Sequence, residues 1–118
     1  PHNEINIKTL STGYFLNFIN NQRKARKVSP LKLDNKLLKE ANVFLKKEKK
    51  LEKIADFLSL TNPHLKRVAY NKMKIQSLFS IKNNPALYDK DFTHFALVLP
   101  DKKSLKKNSL LLLASYKK

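Results

Sequence analysis

Between Asn62 and Lys74 the sequence NPHLKRVAYNKMK carries side chains suited to gripping a polyanion. Lys66, Arg67 and Lys74 can donate to phosphate or guanine, and Asn62 and Asn71 can pair with adenine. His64 and Tyr70 can bond or stack against the same surface. No Asp or Glu occurs between Asp56 and Asp89, so nothing in the intervening stretch repels an anion. Two further basic groups are candidates for phosphate contact: Arg23, Lys24, Arg26 and Lys27 in QRKARK, and Lys102, Lys103, Lys106 and Lys107 in DKKSLKKN.

Other chemistry has less to build on. Asp89 and Asp91 in YDKDF are two carboxylates of the kind that hold a divalent metal, but in a turn they are expected to be ordinary caps. His2, His64 and His94 are scattered, without Cys or a His-x3-His spacing that would suggest zinc. Nothing brings Ser, His and Asp together as a nucleophile and its base. The expectation is a protein that is no enzyme and uses neither metal nor cofactor.

The composition agrees with the charge-bearing segments. The chain has 118 residues, 25 Lys and Arg against nine Asp and Glu, a formal charge of +16 and a pI near 10.1. This length predicts a single domain over residues 1–118, and 42% hydrophobic residues predict a folded one. A surface so positive attracts polyanions, nucleic acid foremost. The chain has no cysteines, and residues 1–8 lack the basic-then-apolar order of a secretory signal, so an intracellular setting, nucleus or bacterial cytoplasm, is expected. Beginning at Pro1 fits removal of an initiator or excision from something longer. The apolar runs Phe95 to Leu99 and Leu110 to Ala114 are too short to span a bilayer.

Residues 1–10 are expected to be an extended lead-in. Ser11 or Thr12 then caps a helix with Tyr14, Phe15, Phe18 and Ile19 on its core stripe, broken at Val28-Ser29-Pro30. Asp34 caps a second helix whose buried face is Leu37, Leu38, Ala41, Phe44 and Leu45. The KKEKK run at 46–50 is expected to end it. In LEKIADFLSLTNPHLKRVAY, residues 51–70, the apolar residues Ile54, Ala55, Leu58, Leu60, Leu65 and Val68 follow a spacing that resembles the helix-turn-helix. Ala55 stands at that motif's small position, Ser59 where it usually has Gly, and Pro63 at the start of the second helix. The resemblance implies a recognition helix from Pro63 to about Ser80, within a helix-turn-helix over 51–80.

Asn83-Asn84-Pro85 signals a turn. Phe92 to Leu99 and Ser109 to Tyr116 read as strands, with Leu110 to Leu113 also compatible with a short buried helix. Two strands joined by a basic connector look like the wing of winged-helix proteins, over residues 92–116. The expected fold is therefore mainly α with a small C-terminal β-hairpin (α+β), a winged-helix-like helix-turn-helix domain. The expected function is non-catalytic binding of double-stranded DNA, favoured over RNA, through the recognition helix and wing. Alternatives are an interaction domain docking an acidic protein partner, an RNA-binding or ribosome-associated protein with Tyr70 and Tyr116 as stacking residues, and a basic amphipathic first helix at a membrane surface. A basic-rimmed apolar groove would favour the peptide partner; oligomeric state is not legible.

Overall fold

Asp34 starts the second helix by capping it: its Oδ1 accepts from the Leu37 amide at 2.9 Å. The helix that follows, α2 (Asn35–Lys47), buries Leu37, Ala41, Phe44 and Leu45, one apolar stripe at helical spacing. A 3-10 turn, Leu51–Lys53, leads into α3 (Ile54–Thr61), which adds Ile54 and Leu58 to the same core. These features come from a computed structural model that describes residues 2–47, 50–74, 81–98 and 108–118, with side-chain detail from Thr12 onward.

The helices pack on a four-stranded mixed sheet. Its strands are β1 (Lys32–Leu33), β2 (Leu65–Lys74), β3 (His94–Val98) and β4 (Asn108–Tyr116), in the order β1-β3-β4-β2. β1 runs parallel to β3, while β3 with β4 and β2 with β4 are antiparallel. Ala96, Val98, Leu110, Leu112 and Ala114 point to α2 and α3. Phe95, Leu97, Leu111 and Leu113 point the other way, to Phe15 and Ile19 of α1 (His2–Ala25) and to Leu31, Ile81, Leu87 and Phe92. A strand buried on both faces is apolar at every position, which is why FALV and LLLLA show no alternation. The chain thus builds three layers, helix on sheet on helix.

This arrangement overturns the winged-helix expectation. The segment after Pro63 is not a recognition helix but β2, ten residues of strand antiparallel to β4. Ser59 is not in a turn: α3 runs through it to Thr61, and the chain turns at Asn62 to His64. Leu60, expected inside, is 84% exposed. The expected strands near 92–99 and 109–116 exist as β3 and β4, paired as neighbours, but they form the buried centre of the sheet, not an exposed wing. Residues 2–10 are helical within α1, not an extended lead-in, and Tyr14 lies on its exposed side. The expected helix end at 75–80 lies outside the described residues.

Candidate functional site

At one end of the sheet, β1 finishes, α2 begins, and β2, β3 and β4 have their first or last residues. An open cleft of about 460 Å³ lies there, walled by Leu33 of β1, Asp34, Asn35 and Lys36 at the α2 start, Asn62 after α3, His64 before β2, His94 opening β3 and Tyr116 closing β4. The backbone fixes these positions. Asp34 N donates to Phe95 O at 2.8 Å, and Lys117 N donates to His64 O at 2.7 Å. Lys32 is in register with His94, and Leu65 with Tyr116.

The side chains then lock onto one another. The Tyr116 hydroxyl donates to Asp34 Oδ2, so both oxygens of that carboxylate are engaged. Burial pushes the Tyr116 pKa well up, the Asp34 carboxylate adds to the rise, and a hydrogen bond from the Asn62 carboxamide opposes it. The His94 ring stands edge-on to the Tyr116 ring with centroids 4.9 Å apart, and its Nδ1 lies 2.7 Å from Thr93 Oγ1. Asn62 is 3% exposed, its carboxamide set against the Tyr116 hydroxyl. Among the described residues, no group of three or more His, Cys, Asp or Glu could hold a metal ion.

A second groove opens between α2 and α3. Phe44 and Phe57 give it an apolar floor, and exposed Leu60 with Lys47, Lys53 and Asp56 its rim, enclosing about 380 Å³. The Phe44 and Phe57 rings pack tilted at 5.3 Å, which holds the two helices together beneath it.

The sequence-predicted contacts separate into distinct places. Asn62 and His64 line the cleft. Lys66 and Arg67 do not lie on an outward helix face; they sit on β2 and pair with acids, Lys66 Nζ with Asp91 at 3.2 Å and Arg67 Nη1 with Asp89 at 3.1 Å and Asp91 at 2.9 Å. The hydrogen bond to Asp91, then that to Asp89, raises the Arg67 pKa, and Arg67 ahead of Lys66 lowers that of Asp91. The Arg67 guanidinium also lies 4.7 Å from the centroid of the Phe92 ring. Tyr70, Asn71 and Lys74 follow along β2, with Tyr70 and Lys74 exposed. Lys102, Lys103, Lys106 and Lys107 lie outside the described residues.

The basic segment after Ile19 divides too. Lys24, Arg26 and Lys27 are exposed, Arg26 lying over the Tyr88 ring at 3.9 Å. Arg23 is 1% exposed and instead holds together the connections after α1 and before β3. Its Nε donates to Ser29 O at 2.6 Å, Nη1 to Leu87 O at 2.6 Å and Asp89 O at 3.4 Å, and Nη2 to Phe92 O at 3.0 Å. Burial lowers the Arg23 pKa, and Asp89 works against that.

Sequence reasoning treated Asp34 as a cap alone and missed its partner Tyr116, 82 residues away. A hydroxyl closing an apolar strand was the only signal. Among the described residues, no helix is long and apolar enough to cross a membrane.

No protein-family model matches the sequence, and no curated protein sequence matches it. Solved structures do share the fold. A cysteine-rich secretory protein from Staphylococcus aureus is similar with a TM-score of 0.68 and 16% identity, over 89% of this chain and 38% of that one, so this chain spans well under half the length of that neighbour. An outer surface protein from Borrelia burgdorferi is similar with a TM-score of 0.67 and 12% identity, over 91% of this chain and 93% of that one. These likenesses establish the architecture alone, and they replace the winged-helix resemblance: the chain has the helix-sheet-helix fold shared with a secretory and an outer surface protein.

Proposed function

We propose that this chain is a non-catalytic interaction module that docks an acidic, apolar-anchored segment of a protein partner in the groove between α2 and α3. The observation that carries the reading is the groove itself, apolar at Phe44, Phe57 and Leu60 and basic at Lys47 and Lys53. Leu60 is 84% exposed beside that floor, so its side chain is available to an apolar residue of a partner. The charge of the whole chain points to the sign of that partner. Against a net +16, the ion pairs among the described residues join only Lys66 and Arg67 to Asp89 and Asp91. Exposed Lys36, Lys39, Lys46 and Lys47 on α2 make no ion pair among them, so an acidic segment would be drawn in by charge and held by its apolar residues.

Capture of a nucleic-acid backbone by charge is the second reading, and the same +16 favours it. It does not involve groove reading by a helix, since Lys66 and Arg67 lie on a strand and are paired. Binding of an acidic peptide bearing Leu and Phe, of the same peptide with those residues replaced by Ser, and of duplex DNA, each titrated with salt, separates the two. The docking reading expects the intact peptide to win and Leu60→Ser to weaken it about tenfold, the loss of one well-buried leucine contact. Equal binding of both peptides with a steep salt dependence would transfer the assignment to polyanion capture.

A further inference from the structure

The α2–α3 groove has two unlike ends. Lys47 is the last residue of α2 and Lys53 the last of the 3-10 turn that leads into α3, so both ammonium groups stand on the rim at the end where the two helices are joined. From Ile54 to His64 the sequence has no Lys or Arg, and Leu60 stands exposed on the rim near the far end of α3. The Phe44 and Phe57 rings lie between, with centroids 5.3 Å apart. At the helical rise, Lys53 and Leu60 are about 10 Å apart along the axis.

The neighbouring acids sharpen this asymmetry. Asp56 is on the rim beside Phe57, midway along the groove. Glu40 is one turn before Phe44 on the same face of α2, on the side away from Lys47. Its charge reaches the Tyr116 phenol, to which the carboxamide of Asn62, the residue after α3, is bonded, so Glu40 lies towards the Leu60 end. A carboxylate that enters with a segment therefore meets two cations at the joined end and like charge in the middle and at the far end. At about 0.1 M salt the Debye length is also about 10 Å, so an acid beside Leu60 gains little from Lys47 and Lys53. A groove of this length takes about two turns of a helix or three residues of an extended chain.

We infer, resting on the docking reading of this groove, that its occupant is a protein segment polarised along its length: acidic residues gathered at the end seated against Lys47 and Lys53, and apolar anchors without acid running over Phe44 and Phe57 to Leu60.

The test measures fluorescence anisotropy of three labelled peptides of one composition on the full chain. Each carries Leu and Phe four residues apart and two Asp, placed both before the pair, both after it, or one on either side. One of the two clustered peptides is expected to bind about fivefold more tightly than the divided one. Lys53→Glu is expected to weaken that peptide about tenfold, while Lys32→Glu, the same charge change on β1, weakens it less than about twofold. Lys53 is exposed and an acid suits the start of a helix, so the variant should fold; if it loses the native spectrum, Lys53→Gln decides, with a weakening of about threefold expected. Leu60→Ser is measured alongside. Equal affinities for the three peptides, or equal losses in the Lys53 and Lys32 variants, while Leu60→Ser still weakens binding, would overturn the polarity and leave the docking reading standing. Binding indifferent to Leu60→Ser would overturn both.

Discussion

The Tyr116 hydroxyl donates a hydrogen bond to the Asp34 carboxylate, tying the last strand to the cap of the second helix. Removing that hydroxyl leaves a buried carboxylate oxygen without its donor. Tyr116→Phe is expected to lower stability by about 1 kcal/mol in urea unfolding. The phenol pKa is raised on folding, so its contribution is complete below the unfolded value of about 10 and declines as pH rises above that value towards the folded one. Unfolding followed from about pH 8 to about pH 11 should show a fall in stability that Tyr116→Phe lacks. A parallel fall in the variant would mean that the phenol is not its source.

Arg23 is a different kind of tie, one side chain closing the loops after α1 and before β3. Arg23→Ala would strand the carbonyls of Ser29, Leu87 and Phe92 and is expected to cost about 3 kcal/mol or more. Arg23→Lys keeps the charge but not the fork of donors, and should recover only part of that loss. Thermal unfolding of the two variants against the parent checks the order.

The pairing of Arg67 with Asp91 is exposed, so its signature should be sensitivity to salt and acid rather than a large stability change. The Asp91 pKa is lowered on folding. Its contribution is therefore present above the unfolded carboxylate pKa and lost as pH falls through the folded one. Asp91→Asn is expected to lower Tm slightly at neutral pH and low salt, with the difference vanishing in high salt and in acid. A difference that persists in high salt would show that Asp91 acts by something other than charge.

Lys27 ends α1 in the left-handed region, at φ 59°, with Lys27 N bonded to Lys24 O at 3.0 Å and Val28 N to Arg23 O at 2.9 Å. That geometry is the helix-ending motif in which glycine is favoured. Lys27→Gly is expected to stabilise the fold by about 0.5 kcal/mol, the relief of side-chain strain exceeding the entropy lost on ordering a glycine. Chemical unfolding measures it, and a destabilised variant would mean that the lysine side chain contributes more than its strain costs.

Local features of this fold were legible and paired ones were not. Asp34 as a cap and the α2 stripe follow from spacing within one turn, and the apolar runs that form β3 and β4 stand out by composition. β2 was misread for a specific reason. The register shifts between Leu65 and Arg67, so Leu65 and Val68 reach the same core although three residues apart, which imitates helical spacing. Its exposed Lys66, Tyr70, Lys72 and Lys74 then resemble a helix's polar face. Of the cleft, Asn62 and His64 were singled out for gripping a polyanion, while Asp34 and Tyr116 meet only through the sheet. Nothing in QRKARK distinguishes Arg23, which is buried, from Lys24, which is not.

β4 lies between β3 and β2 and is buried at seven of its nine positions, yet it is the last of the described strands in the chain. During synthesis the earlier strands emerge without the neighbour that joins them, and neither helical layer has a complete surface to settle on. Pairing of this sheet must then wait for β4 itself and proceed as one event, at the slow pace of distant strand pairing, about milliseconds to seconds. Until that moment the nascent chain, with its many lysines, depends on charge repulsion to keep its unpaired strands apart.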